Sequence, residues 1–149
     1  MNPFIFLILL VLLVLSQTTS ATVLSSSDRF WLSRSIYHEC REKKVCTQED
    51  WKKIASVALN RQRAFSVWKF GATCPTISCI VRSKEYMSHR LLLSPVKDKI
   101  IFGEIQSFIL SGSFGTSSYL FFSTLGKGAN RRMSYRGDIN KLLNAGEHQ

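Results

Sequence analysis

No charged side chain precedes Asp28, and the segment before it lacks the basic cluster that usually opens an export signal. What it has is Phe4 to Leu15, an unbroken apolar run of twelve residues, followed by polar Ser16 to Ser20 and then Ala21. A membrane-spanning helix needs about twenty apolar residues, whereas the core of a signal peptide needs about seven to fifteen. The run is therefore read as a signal peptide, residues 1–21, with Thr19 and Ala21 as small residues before the cut; a retained anchor is the alternative. Residues 22–149 then form one domain, long enough to bury a core, with no internal repeat and no linker dividing it. Other absences exclude whole classes of chemistry. There is no glycine-rich phosphate loop before a helix, no pair of histidines at helical spacing for a metal, and no Gly-x-Ser-x-Gly elbow. His38, His89 and His148 are scattered, and neither a metal site nor a cofactor is expected.

Acidic residues are scarce. Ten Asp and Glu face twenty Lys and Arg, and all thirty lie after residue 21, so the expected mature chain carries a net charge of +10. Such a surplus favours an anionic partner, and export makes a polymer of the cell envelope a better candidate than nucleic acid; a generally basic surface is the plainer explanation. Four cysteines, at 40, 46, 74 and 79, are an even number in an exported chain, which favours disulfides in a periplasmic or extracellular setting. Three pairings are possible, and proximity in sequence points to Cys40 with Cys46 and Cys74 with Cys79. Zinc is the weaker reading, because the spacings are long for a zinc knuckle and no histidine pair accompanies them.

Asp28 predicts a helix from Arg29 to about Arg41, with Glu39 in its last turn, where the helix dipole is unfavourable to a carboxylate. On local sequence alone Glu39 is an ordinary solvated acid. Thr47 and Asp50 predict a capping box, followed by a helix to Arg61 with Trp51, Ile54, Ala55, Ala58 and Leu59 on its buried stripe. Residues 62–76 read as a loop whose aromatics, Phe65, Trp68 and Phe70, pack beneath it or stack on sugars. A short helix with Pro75 at its first position runs through Ile80 and Val81, and residues 82–90 are a polar segment. A second amphipathic helix is expected from Val96 to Leu110, stopped by Gly112, and Gly115 to Phe122 read as turn chemistry entering a short strand. The tail from Gly126 reads as basic surface with little core.

Carboxylate chemistry is what remains. Most glycosidases need two acids. A lytic transglycosylase needs one, because the substrate's own C6 hydroxyl attacks the anomeric carbon while one Glu first donates and then removes a proton. Such a Glu belongs in an apolar cleft that keeps it protonated at rest. Ile36-Tyr37-His38-Glu39-Cys40-Arg41-Glu42, then Ile54-Ala55-Ser56-Val57-Ala58-Leu59-Asn60-Arg61, resembles the signature of the SleB-like cell-wall hydrolases, a YxEARGE-like run followed by a helix ending V-x-L-N-R. Ile80 to Ser88 is similar to that family's V-I-x-x-x-x-F-S segment, and Ile109 to Gly112 with Gly115 to Phe122 to its V-L-x-G and T-G-A-x-x-F-x elements. The four blocks stand in the family's order from Ile36 to Phe122.

The resemblance implies an α+β, lysozyme-like fold, mainly helical with a small antiparallel sheet. It implies a monomeric, exported enzyme that cuts the MurNAc-GlcNAc bond of peptidoglycan, meeting membrane only through the signal segment. Glu39 matches the catalytic acid; Tyr86, Ser88, Tyr119 and Phe121 match positions beside the cleft; and Asn60, with Arg61, fixes the central helix against it. A Cys40–Cys46 bridge would close the loop behind Glu39. The chain departs from the pattern at Cys40, Lys43 and Lys44, has Tyr86 where Phe is usual, and shows no closing G-N-H-x-F-Y pattern. The alternative expectation is an inactive, cationic wall-binding module on the same fold.

Overall fold

A computed structural model describes residues 23–40, 46–65, 67, 74–114 and 117–146. The expected signal segment, the lysines at 43 and 44, Trp68 and Phe70 lie outside the described residues. The architecture is mixed: among the described residues, helices and one two-stranded antiparallel sheet built around a main core and a smaller one.

Helix α1 (Ser26–Glu39) begins earlier than Asp28 predicts, because Ser25 caps it, its hydroxyl accepting the Asp28 amide at 3.1 Å. Asp28 turns instead to a distant partner and accepts the Ser78 amide at 2.7 Å. Leu32, Ser33, Ser35, Ile36, Tyr37 and His38 are all buried, so α1 is enclosed on several sides rather than on one stripe. Its polar side chains serve the loops around it. Arg34 donates to the Leu92 and Ser94 carbonyls at 3.1 and 2.7 Å, and the Tyr37 hydroxyl accepts the Lys97 and Asp98 amides at 2.9 and 2.8 Å. Those contacts satisfy backbone groups that burial would otherwise strand.

Helix α2 (Gln48–Arg63) starts where the capping box predicts, with Asp50 Oδ2 accepting from the Thr47 amide at 2.8 Å and from its hydroxyl at 3.1 Å. Helix α3 (Ile77–Arg82) is capped by Thr76, which moves Pro75 outside the helix rather than to its first position. The segment 82–90 holds the start of a one-turn helix, α4 (His89–Leu92), capped by Ser88 and anchored by buried Leu92. Helix α5 (Lys99–Ser111) starts later than Val96, because Asp98 Oδ1 caps it by accepting the Ile100 and Ile101 amides, and it ends on Gly112 at φ 66°. That left-handed C-cap is the stop that glycine is suited to supply.

A strand begins at Phe121, at the end of the segment expected to lead into one. It is β1 (Phe121–Leu125), paired with β2 (Arg132–Arg136) so that Phe121 faces Arg136 and Phe122 faces Tyr135. The tail is therefore structural. It supplies β2 and helix α6 (Ile139–Gly146), and Ile139 packs with Ala64 and Leu120 in a small second core. Its pattern is hard to see because each strand is only five residues long and β2 is flanked by arginines. Gly137, at φ 84°, turns the chain so close to β1 that an added Cβ would stand 2.9 Å from Leu120 Cβ.

Leu32 and Ile36 of α1, Ile54 and Val57 of α2, Ile77, Ile80 and Val81 of α3, and Ile105 of α5 are fully buried in the main core. Each contributes about 1.5–3 kcal/mol from apolar surface removed from water. Phe65 packs against this core, as expected for the underside of a loop. The cysteines pair as proximity in sequence suggests, Cys40–Cys46 and Cys74–Cys79, bonds that persist in an oxidising compartment. Among the described residues no helix is long and apolar enough to cross a membrane.

Candidate active site

Glu39 is the last residue of α1, half-buried, and directly precedes the Cys40–Cys46 disulfide. One turn earlier on the same face stands Ser35, fully buried, its hydroxyl making no hydrogen bond of good geometry. Tyr86 meets this face. Its hydroxyl donates to the Ile54 carbonyl at 3.1 Å, and its ring lies edge-on to Phe122 at 5.2 Å. Burial pushes the Tyr86 phenol far above its ordinary value; nearby Arg61 and Ser35 pull it down, and the Glu39 carboxylate adds to the rise. The buried Tyr86 hydroxyl thus lies within the electrostatic reach of Glu39.

Behind Tyr86, Arg61 is buried at 3% exposure and sits 5.0 Å from the Tyr86 ring and 5.1 Å from the Phe121 ring. Burial lowers its pKa, while Tyr86 and Glu85 oppose that shift. Its guanidinium donates to the Leu120 carbonyl at 2.8 Å and to the Glu85 carbonyl at 3.4 Å. Asn60, one residue earlier, donates from its amide to the Ser117 and Tyr119 carbonyls at 2.7 and 2.9 Å. The pair therefore ties the end of α2 to the backbone entering β1, and Asn60 spends its amide on protein carbonyls.

A second wall is aromatic. Tyr119 stacks on Tyr135 with ring centroids 5.4 Å apart, and the Lys53 ammonium lies 5.1 Å from the Tyr135 ring. The Tyr135 hydroxyl donates to Asp50 Oδ1 at 2.6 Å. Burial, then this bond to the Asp50 carboxylate, holds the Tyr135 phenol far above its ordinary value. Asp50 Oδ2 is already occupied by Thr47, so both oxygens of this acid serve the cap and the hairpin. A carboxylate so engaged is poorly suited to act as a second catalytic acid.

The positions named from the sequence do not all gather at one point. Glu39 and Tyr86 come together, and Tyr119 joins the aromatic wall. Phe121 lies on the other face of β1, where its ring packs on Arg61 and Arg136, and the ring that touches Tyr86 is Phe122. Ser88 is exposed and caps α4 through the Leu91 amide at 3.4 Å. Tyr135 and Ser35 escaped the sequence reading. The period-two alternation of Arg132-Met133-Ser134-Tyr135-Arg136 was the available signal for Tyr135, and the four-residue spacing to Glu39 was the signal for Ser35.

No protein-family model, curated protein or solved structure matches the chain. The site must therefore be argued from its own chemistry. Glu39 is a carboxylate at a helix end with a disulfide immediately behind it. Buried Tyr86 lies within electrostatic reach, and an aromatic pair forms a wall nearby. Among the described residues no cluster of side chains suits a metal ion.

Proposed function

We propose that the chain is an exported peptidoglycan-cleaving enzyme on a lysozyme-like fold, acting as a lytic transglycosylase with Glu39 as its acid and then its base. The observation that carries this reading is the setting of Glu39. It ends an enclosed helix, is followed at once by a disulfide that restrains the chain, and stands within electrostatic reach of the buried Tyr86 hydroxyl. Asp50 is fully engaged, which favours a mechanism with one carboxylate over one with two.

In this mechanism protonated Glu39 donates its proton to the glycosidic oxygen as the bond to the anomeric carbon of the muramic residue breaks. The resulting carboxylate takes the proton of that residue's C6 hydroxyl, whose oxygen closes on the anomeric carbon. A 1,6-anhydro ring forms, no water is consumed, and Glu39 returns to its protonated state. Asn60 and Arg61 act as positioning residues, holding the strand entry that carries Tyr119. The net charge of +10 keeps the protein on an anionic wall polymer.

Incubating the mature protein with purified sacculi and analysing the products by mass spectrometry tests the proposal. Muropeptides with anhydro ends are expected, and Glu39→Gln is expected to fold and bind sacculi while releasing none. Reducing ends would make it a hydrolase. Binding without products from the unaltered protein would make it a non-catalytic wall module, and normal release by Glu39→Gln would remove Glu39 from the mechanism.

A further inference from the structure

Away from Tyr86 and the hairpin, the N-terminal half of α2 and the middle of α5 enclose an open groove of about 930 Å³. Its lining includes Gln48, Trp51, Gly103, Glu104, Ser107 and Phe108. Trp51 and Phe108 form a tilted aromatic pair with centroids 6.0 Å apart. A smaller hollow of about 260 Å³ shares Trp51 and Glu104 and reaches the Cys40–Cys46 disulfide. The groove therefore runs from behind the candidate acid outward along α5.

Two features mark it as more than a gap between helices. The first is Gly103, in the interior of α5, where glycine is the least favourable residue after proline. A Cβ built there would meet nothing within 4 Å, so neither packing nor a positive φ requires the glycine. Bare backbone facing an open groove is what a ligand lying close against the helix would need. The second is the polar complement. Among the described residues the exposed side chains of Gln48, Glu104 and Ser107 have no hydrogen-bond or ion-pair partner, whereas Lys52 on the same wall is taken up by Glu49 at 2.8 Å. The unengaged groups are an amide, a carboxylate and a hydroxyl, offering both donors and acceptors beside an indole.

We propose that this groove is a saccharide-binding site, distinct from the Glu39 centre, in which an N-acetylated amino sugar lies against Trp51 and the bare backbone of Gly103. The identity of the sugar rests on the peptidoglycan reading. A pyranose presents an apolar C–H face to an aromatic ring and equatorial hydroxyls and an amide at its edge, which matches indole below and Gln48, Glu104 and Ser107 around. An extended peptide fits less well. Both walls are helices whose backbone hydrogen bonds are made internally, so there is no strand edge to read a peptide main chain. Glu104 also sets this groove apart from the cationic remainder of the surface, which disfavours a polyanionic ligand here. On a glycan strand the site would hold a sugar remote from the bond being cut and keep the enzyme on its substrate between cuts.

The test uses tetra-N-acetylchitotetraose as the probe, with binding followed by isothermal titration calorimetry. The unaltered protein is expected to bind it, and Glu39→Gln to bind it equally well. Gly103→Gln, whose Cβ would meet nothing within 4 Å and whose side chain would take up space in the groove, is expected to weaken binding at least tenfold while leaving Tm unchanged or higher. Ser107→Gln obstructs the same space from an exposed position and is expected to weaken binding likewise, so a folding defect in one variant leaves the other decisive. The proposal is overturned if the unaltered protein does not bind the tetrasaccharide, if a folded groove-filling variant binds it undiminished, if Glu39→Gln abolishes binding, or if a stem tetrapeptide competes for the groove and the sugar does not. Release of muropeptides is a separate readout, so the Glu39 mechanism and the groove stand or fall apart from each other.

Discussion

Removing the Asp50 carboxylate should unsettle two elements at once, because one side chain caps α2 and holds β2. In Asp50→Ala the Thr47 amide and hydroxyl lose their acceptor, and the Tyr135 hydroxyl loses the shortest of the three bonds, at 2.6 Å, keeping only the backbone carbonyl of residue 50 at 3.5 Å. Loss of a helix cap costs about 1 kcal/mol. A half-buried phenol left without its charged acceptor costs about 1–3 kcal/mol more. The predicted total is about 2–4 kcal/mol, a large fraction of the roughly 5–15 kcal/mol by which such domains are stable. Tyr135→Phe should cost only about 1 kcal/mol, because Asp50 keeps its Thr47 donors and its freed oxygen is near solvent. The measurement is a double-mutant cycle by urea unfolding monitored by circular dichroism, with both single variants and the double. A coupling of about 1–2 kcal/mol between the two positions is expected. A coupling within about 0.3 kcal/mol of zero would refute the claim that this bond carries the link from α2 to the hairpin.

Two further outcomes follow from the same framework. Each disulfide closes a short loop, with Cys40 and Cys46 six residues apart, and Cys40→Ser with Cys46→Ser is expected to lower stability by roughly 2 kcal/mol on chain-entropy grounds. Thermal unfolding of the paired variant measures it, and a loss larger than that from opening Cys74–Cys79 would show that restraint at the end of α1 matters beyond loop entropy. The raised phenols give the fold an alkaline limit. Tyr86 stays neutral in the folded chain but ionises near pH 10 when unfolded, so its contribution is whole below pH 10 and is lost as pH climbs toward the folded value. Stability should fall by about 1.4 kcal/mol per pH unit above pH 10 from Tyr86 alone. Tyr86→Phe should flatten that slope in unfolding titrations, and an unchanged slope would show that the phenol is not shielded as described.

Helices were legible where a cap and a period coincided. Thr47 with Asp50 marks α2, and the apolar period stopped by Gly112 marks α5, through local chemistry that tertiary packing leaves in place, although the Asp98 cap at the start of α5 was passed over. The start of α1 was misplaced because a run of serines offers several caps, and the choice of Ser25 frees Asp28 for Ser78, a partner fifty residues away that no local pattern contains. The second strand of the sheet was missed for a similar reason. Five-residue strands between positive-φ glycines carry little periodic signal, and their stability comes from Asn60, Arg61 and Asp50, all on a helix far away in sequence. The candidate site shows the same division. Glu39 was singled out by the resemblance of the blocks around it, whereas Tyr135 and Ser35 left only a short alternation and a four-residue spacing, and the contact of Phe122 with Tyr86 becomes visible only in the folded chain.

The partnership of Asp28 with Ser78 has a consequence for how α1 comes apart. A helix ordinarily frays from its ends, where hydrogen bonds are fewest. Here the first turn is tethered to α3 at Ser78, next to the Cys79 end of one disulfide, and the residue after the last turn is Cys40 of the other. Opening therefore has no easy place to begin, and the terminal amides of α1 should exchange with solvent on the timescale of its middle. The helix that ends in Glu39 would then open as a unit or not at all, so the carboxylate keeps its bearing for as long as the domain stays folded.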